Sequence, residues 1–86
     1  MYEAINGLEY REVGTETLVY DPASEKVHVV NHTAADLLRR CSGKSAADLA
    51  DYLRSSYDAD GYDVEQDVLD IMNAFADQGL VREVVA

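Results

Sequence analysis

The rhythm of apolar and polar positions changes near Val30. Before it, apolar residues tend to recur at every second position, the period of a strand. After it they recur at three and four, the period of a helix. Leu8-Glu9-Tyr10-Arg11-Glu12-Val13 alternates imperfectly and predicts a half-exposed strand. Gly14-Thr15-Glu16 reads as a turn, and Thr17-Leu18-Val19-Tyr20 as a second strand closed by Asp21-Pro22-Ala23-Ser24. There the proline presets φ for a turn and Asp21 is placed to bond its own backbone. Lys26 to Val30 is the third strand of a short antiparallel meander. As the last strand it is expected at a sheet edge, where free N–H and C=O groups can recruit another peptide chain.

Ala34, Leu37, Leu38 and Cys41 then fall at i, i+3, i+4 and i+7, with Gly43 at the place of a C-terminal cap and Asn31 or Thr33 available to cap the start. A second helix opens at Ser45, with Asp48 as its capping-box partner and Ala46, Leu49, Ala50, Leu53 and Tyr57 as its apolar face. Asp58 to Gly61 is a polar loop. Asp63 caps a third helix with Gln66 at the reciprocal position, and Val64, Val68, Ile71, Met72 and Phe75 form its buried stripe. Gly79 ends that helix, and Leu80 and Val81 fold back on the core. The expected fold is α+β and winged helix-turn-helix-like: a three-stranded antiparallel sheet followed by three helices, in one domain spanning residues 1–86.

Charge narrows the functions open to such a domain. Seventeen acidic residues against seven basic ones give a net charge of −10, with the basic residues scattered. Nucleic-acid binding requires clustered Lys and Arg to displace phosphate counterions, and an anionic membrane surface would repel this chain. A peptide or protein partner remains. Met1 to Leu8 has neither the basic start nor the apolar run of a signal peptide, and no apolar run approaches the ~20 residues of a membrane span. The single Cys41 has no partner for an internal disulfide. The expected location is the cytoplasm.

Catalytic and metal chemistry is sparse. His28 and His32 sit on a strand and at a helix start, and so do not share a face as a zinc pair would. The run from Asp58 to Asp63 resembles the start of a calcium loop. Its glycine comes too early, though, and Leu69 stands where a bidentate acid is required. Asn31-His32-Thr33 fits a glycosylation sequon without a secretory signal to accompany it. Cys41 lies on an apolar helix face, as a small buried hydrophobe would. No phosphate loop or serine triad is present, and neither a catalytic residue, a metal nor a cofactor is expected. The six tyrosines, in a chain without tryptophan, suit positions with one end buried and one wet.

Val27-His28-Val29-Val30-Asn31-His32-Thr33-Ala34-Ala35, followed by Leu37-Leu38 and Cys41-Ser42-Gly43, resembles the strand–helix signature of the PqqD-like family. That family is named for a protein of pyrroloquinoline quinone biosynthesis. Its pattern is a valine-rich strand, Leu-Asn, a small Ser/Thr-Ala step and Cys-Asp-Gly. Asp67-Val68-Leu69, Ile71-Met72, Phe75 and Gly79-Leu80-Val81 are similar to its third helix, so the resemblance runs from about Thr17 to Val81. Val30 stands where leucine is usual, Ser42 replaces the aspartate, and Leu80 stands where the quinone-pathway proteins often have tryptophan. These departures point toward a relative serving another peptide product.

The resemblance implies a recognition element for ribosomally made, post-translationally modified peptides (RiPPs), one that binds the leader of a precursor peptide and delivers its core to a modifying enzyme. In the family the leader adds as a fourth strand beside the third, in the groove between that strand and the third helix. Carried onto this chain, the pairing edge is Lys26, Val27, His28, Val29 and Val30, and the helix wall is Val64, Asp67, Val68 and Ile71. The family's leucine position implies that Val30 faces the core with His28 beside it, a choice that periodicity alone leaves open. Asp67 either holds a basic or hydroxyl group of the leader or is a first-turn acid favoured by the helix dipole. The expected partners are the precursor peptide with a leader protease and cyclase of a lasso-peptide pathway, favoured over a radical modifying enzyme. The protein itself is expected as a monomer or a strand-paired dimer. The alternatives are an acyl carrier protein, for which Ser45 lacks the expected Asp-Ser-Leu context, and a winged-helix DNA-binding regulator, which the charge opposes.

Overall fold

The computed structural model describes residues 1–57 and 63–84. The elements are β1 (Tyr2–Ala4), β2 (Glu9–Val13), β3 (Glu16–Asp21), β4 (Lys26–Asn31), α1 (His32–Arg40), α2 (Ala46–Ser56), α3 (Val64–Asp77) and β5 (Val81–Glu83). Strands β2, β3 and β4 form the antiparallel meander read from the sequence, in that spatial order, and the three helices follow. The α+β arrangement is therefore as expected. The first meander strand begins at Glu9 rather than Leu8. The polar loop and calcium-like run from Asp58, together with Tyr62, lie outside the described residues.

Local chemistry accounts for most boundaries. Gly14, at φ 61°, opens the two-residue turn between β2 and β3, a position that favours glycine in hairpins matching the strand twist. Asp21 closes β3 by accepting from the Ala23 N–H and the Ser24 hydroxyl. Asn31, not Thr33, caps α1 by accepting from the Ala34 N–H. Ser45 and Asp48 form the reciprocal capping box of α2. The Ser45 hydroxyl, the one an acyl carrier would modify, thus accepts from the Asp48 N–H. Asp63 caps α3 through the Gln66 N–H. At the far end Gly79 has φ 76°, the Gly79 N–H reaches Ala76 O and the Leu80 N–H reaches Phe75 O. This is a Schellman ending with the buried Leu80 as its apolar contact.

Two short strands lay beyond the sequence reading. β1 pairs antiparallel with β5, Tyr2 opposite Glu83 and Ala4 opposite Val81. On its other side β1 meets the α1–α2 connection: Tyr2 N–H bonds Lys44 O, Gly43 N–H bonds Tyr2 O, and Ser42 Oγ accepts from Ala4 N–H. Ser42 thus serves as an acceptor at the position where the family usually has aspartate.

The core gathers Val19 of β3, Leu37 and Leu38 of α1, Leu49 of α2, Val68 and Met72 of α3, and Leu80, all fully or almost fully buried. Cys41 follows α1 as its C-cap. It is buried and donates its S–H to Leu38 O, and burial pushes its thiol up, which suits a structural rather than a reactive cysteine.

Asp36 ties α1 to α2 by accepting from the hydroxyls of Tyr52 and Tyr57 and from Arg40 Nε. Burial is the largest single influence on its carboxyl and opposes ionisation. The three donors together outweigh it and hold the group below the usual carboxylate range. A carboxyl depressed in the folded state contributes stability that is present above its unfolded pKa, about 3.9, and lost as pH falls through the folded value. The difference in Tm between wild type and Asp36→Asn should therefore be full at neutral pH and shrink below about pH 4. Calorimetric melts across that range check it, and a difference that grew on acidification would contradict the assignment.

Candidate functional site

The three-stranded sheet has two outer strands, and their chemistry differs. β2 carries Glu9, Arg11 and Glu12 among its five residues, whereas β4 carries no carboxylate, ammonium or guanidinium group beyond Lys26 at its start. Charged side chains are a standard guard against unwanted strand pairing. By that measure β2 is guarded and β4 is open. In an antiparallel ladder alternate residues of an outer strand direct N–H and C=O away from the sheet, so β4 offers a row of such groups.

Both ends of β4 are fixed. At its start lies the Asp21 turn, in which Glu25 adopts a positive φ of 58°. At its end Asn31 caps α1, and His32 ties back to the first hairpin through Gly14 O and the Thr17 hydroxyl. The two histidines therefore have separate roles on separate elements. Among the described residues no group of three or more His, Cys, Asp or Glu is placed to hold a metal ion.

Strand register settles the faces that periodicity leaves open. Val30 lies opposite Thr17, His28 opposite Val19 and Lys26 opposite Asp21. Thr17, Val19 and Asp21 are all buried, so this is the core side, and Val30 packs against the core. Val27 and Val29 point the other way and are 55% and 57% exposed. Their cross-strand partners are Tyr20 and Leu18. The four make an apolar strip on the open face of the sheet, which the sequence reading passed over. Its signal was the alternation of Leu18 and Tyr20 within β3. His28 is half-buried, and its Nε2 is shielded without a hydrogen-bond partner.

The residues assigned to the helix wall divide into two kinds. Val64 and Val68 are 3% and 0% exposed. One turn apart, they point together into the core, so they hold α3 in place rather than offer surface. Ile71 is half-buried at the margin of the core, and Asp67 is exposed. The principal neighbours of α3 are α2 and β5, whereas the helix lying directly against β4 is α1. The structure thus joins Lys26, Val27, His28, Val29 and Val30 in one edge, and of the four residues assigned to the helix wall it leaves Asp67 and Ile71 with surface to present.

A search of curated proteins finds no match. Two solved structures share the fold. One is a lasso peptide synthetase B1 complexed with the leader peptide, 23% identical with a TM-score of 0.74, the alignment covering 95% of this chain and 98% of that one. The other is TbiB1 in complex with the TbiA(beta) leader peptide, 17% identical with a TM-score of 0.73, covering 98% and 99%. The family profile of coenzyme PQQ synthesis protein D matches residues 16–81, from the start of β3 to the start of β5. The chain belongs to the PqqD family.

Proposed function

We propose that this protein binds the leader segment of a ribosomally made precursor peptide by strand addition to β4 and presents it to a processing or modifying enzyme. The observation that carries the reading is the contrast between the sheet's two outer strands: charges guard β2 and leave β4 open. Strand addition draws affinity from main-chain bonds and specificity from pockets for alternate side chains. Here the two faces of β4 differ, with Val30 and His28 toward the core and Val27 and Val29 outward. Asp67 and Ile71 of α3 supply the opposite wall in this reading, within a winged helix-turn-helix arrangement.

Both solved neighbours are leader-peptide complexes, and one is named as a lasso peptide synthetase component, which favours a lasso pathway over a radical-enzyme pathway. The protein acts as an adaptor without turnover of its own. Its partner enzyme is a leader protease acting with a cyclase. No described helix is long and apolar enough to cross a membrane, and the unpaired, buried Cys41 suits a reducing cytoplasm.

The test is titration of the protein into fluorescein-labelled synthetic leaders, chosen from candidate short precursor peptides of the genome that encodes this chain, with anisotropy as readout. Saturable one-to-one binding is expected. Val29→Pro, which removes a backbone donor from β4, should weaken it by at least tenfold in protein whose circular dichroism shows a retained fold. Absence of binding to the wild-type protein would sink the proposal.

A further inference from the structure

We propose that His28 sets the leader's sequence preference at one position: it pairs with a hydroxyl or amide side chain on the peptide strand added to β4. This rests on the reading of β4 as the leader-binding edge. His28 points to the core side of the sheet, opposite the fully buried Val19. On its other flank the three-stranded sheet ends, which is why the residue is only half-buried. Its Nε2 is nevertheless shielded and has no hydrogen-bond partner among the described residues. A shielded polar atom without a partner is a standing cost to the folded chain and calls for an explanation.

The polar side chains that β3 presents on the same face do not supply the partner. The Asp21 carboxylate accepts from the Ala23 N–H on one oxygen and the Ser24 hydroxyl on the other. The Thr17 hydroxyl is paired with His32 Nδ1.

A strand seated along β4 fills the open flank. Its inward residue opposite His28 has a Cβ about 4.5–5.5 Å from that of His28, the ordinary spacing of a cross-strand pair. The same strand removes what exposure the ring retains, so both ring nitrogens then depend on the protein or the peptide for partners. A neutral imidazole has one donor and one acceptor nitrogen. Ser, Thr, Asn and Gln each carry both functions and satisfy either tautomer. An apolar residue at that position satisfies neither and is disfavoured, as at any site whose buried polar group a ligand fails to pair.

The experiment uses the fluorescein-labelled leader with each position replaced in turn by Thr and by Val, an isosteric pair that differs by a hydroxyl. Each peptide is titrated against wild type, His28→Leu and His28→Gln. One position should bind wild type about tenfold more tightly as Thr than as Val. That preference should vanish or reverse in His28→Leu and survive in His28→Gln. His28→Leu should also melt no lower than wild type, since it removes the unpaired nitrogen. A leader that binds yet shows no such position, or a preference that persists in His28→Leu, overturns the assignment. A leader that fails to bind wild type overturns strand addition itself, a separate and distinguishable failure.

Discussion

Val68→Glu should leave the chain unfolded, whereas Ile71→Glu should leave it folded with leader binding weakened. The two positions lie on the same helix, three residues apart, and their burial decides the difference. Val68 is fully buried, in contact with the central cluster. A carboxylate there finds no partner, and an uncompensated buried charge costs several kcal/mol even after relaxation. A domain of this length has a thin margin, with total stability on the order of 5–15 kcal/mol. Ile71 sits at the margin of the core, half-buried. A glutamate carboxylate at this position can turn to water, so the loss of stability should stay near about 1–2 kcal/mol. If α3 forms the second wall of the leader site, affinity should fall about tenfold, a loss of roughly 1.4 kcal/mol. Circular dichroism melts separate the variants, and anisotropy titration of Ile71→Glu supplies the binding result. A folded Val68→Glu would contradict the placement of α3, and full affinity in Ile71→Glu would move the leader away from that helix.

The second large effect lies in the peptide rather than the protein. A strand added to β4 directs alternate N–H groups toward it, and the intervening ones away. Methylating the leader's backbone nitrogens one at a time should therefore give a period-two pattern. Each inward methyl removes a donor and forces the backbones apart, for a loss of at least tenfold, while each outward methyl is nearly silent. The pattern should extend over about the length of β4, six residues. Because the protein is untouched, no folding control is needed. A helical leader would instead give losses without a two-residue rhythm, and side-chain recognition alone would leave most methyls harmless.

The three meander strands and the three helices were legible because their causes are local. Asn31, the Ser45–Asp48 pair, Asp63 with Gln66, and Gly79 each sit within a few residues of the boundary they set. β1 and β5 were not legible. Three residues carry no period, and their partnership joins positions at opposite ends of the chain, Tyr2 with Glu83. The candidate edge could be read from sequence, since Lys26 to Val30 ended a meander and had to lie outermost. The orientation of its faces could not be. That required the register that sets His28 over Val19. The helix wall was legible only as a stripe. Hydrophobic periodicity marks Val64, Val68 and Ile71 alike, and only packing distinguishes the two that are buried from the one left at the margin.

The pairing of β1 with β5 also sets how this domain connects to anything else. The Val84 N–H bonds Met1 O, and the Met1 ammonium bonds Val84 O. The first and last strands of the fold therefore lie side by side. Folds whose first and last elements meet in this way tolerate circular permutation and insertion into a host protein. A host loop can carry this one on a two-strand stalk, leaving the meander unbroken. The same ribbon that fastens the first strand to the last makes the fold portable.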